Sequence, residues 1–197
     1  MRKDNMVRIL GSTAHSIEER EQLDFYATDP NSLSLFLSKL REDDIALDQC
    51  IWEIACGDGA IANHLKEIGH TVWCTDIVNR SNACDAILDF TKDLSALTFY
   101  GDILTNPPYK HAQLFIEKSI DLVSEGSMVI MYLRLQFLEG KKRRDLFEKY
   151  PPKYVYVHTA RQMTYKNNDK TTNASAVCFA WFIWEKGFTG DPSLRWI

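Results

Sequence analysis

Apolar residues recur along this chain first at helical spacing and then in short unbroken runs, and the two patterns alternate through most of its length. Asp29-Pro30-Asn31-Ser32 opens a stretch in which Leu33, Phe36, Leu37 and Leu40 follow a helical spacing behind a polar start, which predicts a helix. Residues 50–55 (CIWEIA) are apolar with little alternation, as in a buried strand. Cys56-Gly57-Asp58-Gly59 interrupts that run; Ile61, Leu65 and Ile68 then share a helical face, and Gly69 marks a stop. Further strands are expected at 71–74, ending at Asp76, at 86–88, ending at Asp89-Phe90, and at 102–105, ending at Asn106-Pro107-Pro108-Tyr109. Ala112, Phe115, Ile116, Ser119, Ile120 and Val123 share one face of an amphipathic helix, and 127–133 reads as a fifth strand.

Strand, turn and helix in alternation predict an α/β fold, a largely parallel sheet with helices on both faces. The rhythm changes in the last third. Residues 141–150 look helical, while 154–158 and 174–184 read as strands joined by the polar loop 161–173, an antiparallel pair expected to close the sheet edge. Residues 1–24 are polar and are read as an N-terminal arm or short helix. Residues 25–197, without repeat, linker or low-complexity tract, are read as a single domain with no large separate recognition domain.

Composition narrows this only in part. With 45% hydrophobic and 25% charged residues in 197, the chain has the makeup of a soluble globular domain. No apolar run approaches a membrane span, and Met6–Leu10 behind the charged start is too short for a signal-peptide core, so a cytoplasmic protein is expected. Cys50, Cys56, Cys74, Cys84 and Cys178 fit neither a paired metal site nor a disulfide ladder, and are expected to be small, buried and reduced; no metal is implied. Lys and Arg number 23 against 27 Asp and Glu, a net charge of −4, so any surface for nucleic acid must be a local patch. The only dense basic run is Lys141-Lys142-Arg143-Arg144. At a helix start it opposes the dipole, and either phosphates or the nearby Glu139, Asp145 and Glu148 would offset it.

Two segments carry chemistry. In Glu53-Ile54-Ala55-Cys56-Gly57-Asp58-Gly59 a strand ends, turns on glycines and enters a helix, so the backbone can approach a ligand closely. Ala62 stands where a dinucleotide fingerprint has its third glycine, which argues against a nicotinamide dinucleotide; Asp76, ending the next strand, can bind the hydroxyls of a ribose. A purely structural turn is the alternative. The second segment is Thr105-Asn106-Pro107-Pro108-Tyr109. Strand exits in a parallel sheet lie at the carboxyl edge, where ligands bind, and two prolines stiffen the chain there. The Asn106 side-chain carbonyl and the Pro107 backbone carbonyl are two acceptors that can hold both protons of a planar amine. That favours a tetrahedral nitrogen whose lone pair can attack an electrophilic methyl. Tyr109 can stack on the ring bearing the amine. The structural alternative is a stiffened turn with an exposed tyrosine.

On these residues the chain resembles the class I S-adenosylmethionine-dependent amino-methyltransferases. It is most similar to the adenine-N6 DNA methyltransferases whose cofactor motifs precede an Asn-Pro-Pro-Tyr motif, including small phage and prophage enzymes. The resemblance spans roughly residues 22–186. It implies a Rossmann-like, mostly parallel seven-stranded sheet with an antiparallel last strand. It implies S-adenosylmethionine held by Glu53, Ala55, Gly57 and Gly59, by Asp76 and Ile77 at its ribose and adenine, and by Asp89 and Phe90. Phe25-Tyr26-Ala27-Thr28-Asp29-Pro30 resembles the N-terminal motif closing over the methionine end, with Tyr26 and Thr28 as contacts and Asp29 where a proline is usual. Asn106, Pro107, Pro108 and Tyr109 match the catalytic motif, with Asn106 also beside the cofactor. By the same resemblance an aromatic of the late loop packs on the flipped base; Tyr165 is the candidate, a solvated hairpin the alternative. Lys141, Lys142 and Arg143 are the candidates for phosphate. The implied reaction is direct transfer to adenine N6 in DNA, without a covalent intermediate. Adenine N6 in RNA, N5 of a protein glutamine, or a noncatalytic cofactor-binding partner subunit stand as alternatives.

Overall fold

A computed structural model describes residues 26–160, 165–166 and 177–197. Eight strands form one sheet in the order β10-β7-β9-β6-β5-β2-β3-β4. These are β2 (Cys50–Glu53), β3 (Thr71–Asp76), β4 (Ala86–Ile87), β5 (Asp102–Thr105), β6 (Met128–Arg134), β7 (Tyr154–Val157), β9 (Phe179–Glu185) and β10 (Ser193–Trp196). A separate two-residue ladder pairs β1 (Tyr26–Ala27) with β8 (Tyr165–Lys166). Within the large sheet β9 alone runs against its neighbours, antiparallel to both β6 and β7. The parallel pairs β2–β3, β2–β5, β3–β4 and β5–β6 put the exits of β2, β3 and β5 on one edge.

Helices cover both faces, as the alternation of elements predicts. α1 (Pro30–Glu42) and α2 (Ala60–Glu67) pack Leu33, Phe36, Ile61 and Leu65 onto the face that carries Ile130, Tyr132, Trp181 and Ile183. α3 (Ala112–Leu122) and α4 (Arg144–Lys149) pack Phe115, Ile116 and Leu146 onto Val129, Met131, Phe182 and Trp184. Successive residues of β6 and β9 therefore serve opposite layers, which is why both strands are apolar throughout. α1 starts as its sequence suggests: Asp29 is the N-cap, its carboxylate accepts from the Asn31 N–H at 3.0 Å, and Pro30 follows where no amide donor is needed.

The structure departs from expectation at identifiable places. β10 lies beyond the seven strands expected; it is four residues long, alternates in burial and pairs parallel with β7. β7 and β9 are antiparallel, but they do not close the sheet: β9 is inserted between β6 and β7, and β10 forms the edge. Ile68, expected on the buried face of α2, is its C-cap and is 48% exposed, because the helix ends one residue earlier. Residues 141–150 are a 3-10 turn (Lys141–Arg143) followed by the short α4. Of the five cysteines, all free, Cys56 and Cys74 are buried, while Cys50 and Cys178 are exposed where strands β2 and β9 begin at the surface. The arm at 1–24 and residues 174–176 of the expected late strand lie outside the described residues. Among the described residues no helix is long and apolar enough to cross a membrane.

Candidate functional site

β2 delivers Glu53 to the carboxyl edge of the sheet, and the chain turns there on two glycines with left-handed backbone, Gly57 at φ 56° and Gly59 at φ 83°. Gly59 is the N-cap of α2. A side chain on it would bring its Cβ to 2.9 Å from the Cβ of Ala83, so the turn is closed on one side by the loop after β3. Asp76, ending β3, is buried, and its Oδ2 accepts from the Gly57 N–H at 2.9 Å. Its Oδ1 accepts from the Val78 N–H at 3.1 Å and lies 3.5 Å from the Arg80 guanidinium. The acid thus pins the glycine turn to the neighbouring strand. Cys56, within the turn, places its sulfur 3.3 Å from that of Cys84 on the same loop.

Glu53 is 1% exposed. Burial drives its carboxyl well above the usual carboxylate range, with a bond from the Ala62 N–H acting in the other direction. Its Oε2 is buried with no protein partner. A buried polar atom without a partner costs free energy unless something else satisfies it, and Glu53 is among the residues that line a cavity of about 340 Å³. That volume falls within the range of small-molecule sites.

Most of the residues expected to hold a cofactor meet at this cavity. Its walls include Thr28, Glu53, Ala55, Gly57, Asp76, Ile77, Asp89, Phe90, Asn106, Pro107 and Pro108. Gly59 stands behind the wall as the α2 cap, and for Tyr26 only the backbone is described. Asp89 accepts from the Thr91 hydroxyl at 2.6 Å and the Thr91 N–H at 3.0 Å, which hold its carboxyl below its ordinary range. Phe90 is 2% exposed; its ring meets Trp52 edge-on at 5.8 Å and Phe115 at 4.9 Å, so it anchors this wall in the core. Arg80, Thr91, Lys110, His111 and Leu114 also line the cavity and were not anticipated. Each lies within a few residues of a motif, and that proximity was the only signal they gave.

At the exit of β5 the Asn106 side-chain Nδ2 donates to the Thr28 hydroxyl at 3.0 Å. This bond fixes which way the amide faces and ties the catalytic candidate to the segment leading out of β1. Pro107 and Pro108 follow on the same cavity wall, and Tyr109 opens a 3-10 turn that leads into α3. Tyr109 itself is half-buried and does not line the cavity. Its ring lies 6.0 Å from Phe179 and under the Arg134 guanidinium at 4.9 Å. The two halves of the site meet at Asn106. In the small ladder, Tyr165 pairs with Ala27, which directly precedes Thr28, so the backbone of the late loop reaches this edge.

Lys141, Lys142 and Arg143 are elsewhere, in the turn before α4 and away from the cavity. The Arg143 guanidinium is folded back onto the carbonyls of Phe137 at 2.7 Å, Gln136 at 3.3 Å and Glu139, and sits over the Phe137 ring at 4.8 Å. Arg144 pairs with Glu148 at 2.7 Å. Local carbonyls therefore offset Arg143, and Glu148 offsets Arg144. Among the described residues no cluster of His, Cys, Asp and Glu forms a metal site.

No protein-family model matches the chain, and no curated protein matches it. Its architecture is nevertheless shared with many solved structures. A Pyrococcus horikoshii protein assigned as an RNA methyltransferase superposes with TM-score 0.62 at 14% identity, over 84% of this chain and 88% of that one. The methyltransferase subunit of a type I restriction-modification system from Streptococcus thermophilus gives 0.65 at 11% identity, over 89% of this chain and 48% of that one. A Listeria monocytogenes protein assigned as a class I S-adenosylmethionine-dependent methyltransferase gives 0.57 at 14% identity, over 92% and 67%. The fold is the Rossmann-like fold of the class I S-adenosylmethionine-dependent methyltransferases.

Proposed function

We propose that this chain binds S-adenosylmethionine in the cavity beside Glu53 and Asp76 and transfers its methyl group to the N6 amine of adenine in DNA. The observation that carries the reading is the junction at Asn106, held by Thr28 at the rim of the cavity and followed by Pro107, Pro108 and Tyr109. The cavity suits the cofactor on two counts. Glu53 beside the cavity has a buried carboxyl oxygen with no protein partner, and the Gly57–Gly59 turn leaves its backbone open to close approach.

S-adenosylmethionine supplies an electrophilic methyl on a sulfonium. The chain's own residues do the rest. Asn106 Oδ1 and the Pro107 carbonyl would accept hydrogen bonds from both N6 N–H groups and draw the nitrogen lone pair out of the ring toward the methyl; as the new C–N bond replaces the methyl–sulfur bond, one N6 proton passes to solvent. Tyr109 stacks on the base, worth about 1–3 kcal/mol, which offsets part of the cost of taking it out of its stack. Tyr165, on the strand beside Ala27, is the candidate for the opposite face. The fold neighbours from a restriction-modification system and an assigned RNA methyltransferase agree with a nucleic-acid acceptor.

The test offers labelled S-adenosylmethionine with DNA, RNA and whole-cell protein in separate reactions and identifies the products by mass. N6-methyldeoxyadenosine is the expected product. Label in RNA or in glutamine would replace the acceptor while keeping the Asn106 chemistry. Cofactor binding without transfer would favour a noncatalytic subunit.

A further inference from the structure

Arg134 closes β6 at the carboxyl edge, and its guanidinium carbon lies 4.9 Å over the centre of the Tyr109 ring. Its cross-strand partner on β9 is Phe179, 6.0 Å from the same ring. Tyr132, two residues back on the same face of β6, stacks on Phe179 at 5.2 Å and 17°, and Trp181 continues the file at 4.8 Å. Tyr109 is the outermost ring of an aromatic file rooted in the core, with a cation laid over it. The transfer chemistry described above gives this cation no part.

We infer that Arg134 is a positioning residue for the target base, holding Tyr109 by one face so that its other face is preset to receive a nucleic-acid base. The inference rests on the proposed function. Guanidinium is planar, weakly hydrated and stacks flat on aromatic faces, which an ammonium does not. A half-buried tyrosine at the head of a short 3-10 turn would otherwise have to be ordered each time a base arrives, and presetting it removes that cost. In a chain of net charge −4 the same cation could instead serve a phosphate, and the two roles differ measurably.

Transfer to DNA is measured for the parent, Arg134→Ala, Arg134→Met, Arg134→Lys, Tyr109→Leu and the double variant Tyr109→Leu/Arg134→Ala. Arg134→Met keeps the aliphatic stem and separates loss of packing from loss of the cation. Positioning predicts that Ala and Met each lower kcat/KM for DNA by about five- to tenfold, that KM for S-adenosylmethionine is unchanged, and that Lys restores only part. In the Tyr109→Leu background Arg134→Ala costs nothing more, because the ring through which it acts is gone. Three results overturn the inference: additive losses in the double variant, an active parent with Arg134→Ala unaffected, or full recovery by Lys with a salt slope shallower by about one unit in Arg134→Ala, which would assign Arg134 to a phosphate. A parent that methylates no nucleic acid would remove the proposed function and this inference with it.

Discussion

Thr28 and Asn106 lie 78 residues apart, and the 3.0 Å bond between them turns two separate sequence motifs into one site. A single neutral hydrogen bond contributes about 0.5–1.5 kcal/mol, so Thr28→Val should lower methyl transfer roughly two- to tenfold by letting the Asn106 amide turn. Equal kcat in parent and variant would show that the amide is oriented by other means. Glu53 makes a second prediction. Its folded carboxyl titrates well above the ordinary value of 4.5, so the folded state keeps a proton that the unfolded chain releases. The stability this contributes is present in full below about that ordinary value and is lost as pH rises through the raised one. Cofactor-free Glu53→Gln should therefore gain on the parent in thermal midpoint as pH rises over this window; a difference that does not change with pH contradicts it. Glu53, Asp76, Asn106, Pro107 and Pro108, which meet at the cavity, could be singled out in sequence because chemistry restricts their types at strand ends, whereas Tyr109 of the same motif does not line it. Arg80, Lys110 and Arg134 could not, because a single cation near a motif has no pattern of its own.

At the scale of elements the glycine turn between β2 and α2 shapes the cavity. Gly59→Ala would set a side chain in left-handed backbone, which costs about 1–2 kcal/mol, and would press its Cβ against Ala83. The expected outcome is a loss of S-adenosylmethionine affinity on the order of tenfold by calorimetry, with far-ultraviolet circular dichroism unchanged. An unaltered affinity would mean that the turn does not shape the cofactor site. Helices α1, α2 and α3 could be read from periodicity and strands β2, β3, β5 and β6 from their apolar runs, whereas β4 is only two exposed residues found where an apolar run was expected. β10 could not be read: a four-residue edge strand exposed at alternate positions resembles any polar loop. The insertion of β9 between β6 and β7 was equally hidden, because strand order is set by which edges pair and not by local pattern.

For the molecule as a whole, Asp102 ties the start of β5 to two of its neighbours. Its buried carboxylate accepts from the Asp48 and Met128 N–H groups, each at 2.7 Å. Asp102→Asn would face one of these donors with an amide NH2, a loss of about 1–3 kcal/mol, and should lower the thermal midpoint by roughly 3–10 °C. No change would place the stability of this layer in its apolar packing alone. The basic run at Lys141–Arg144 allowed two readings, phosphates or the nearby acids, and of its four cations Arg143 is turned onto local carbonyls and Arg144 onto Glu148. Asn106 is expected to act in the transfer step rather than in holding the cofactor. The direct measurement is single-turnover transfer from saturating labelled S-adenosylmethionine to DNA by the parent and Asn106→Ala, with cofactor affinity measured on the same samples. Transfer is expected to fall by about a hundredfold or more while affinity changes only a few-fold, the signature of that role. Transfer by Asn106→Ala at the parent's rate would contradict it.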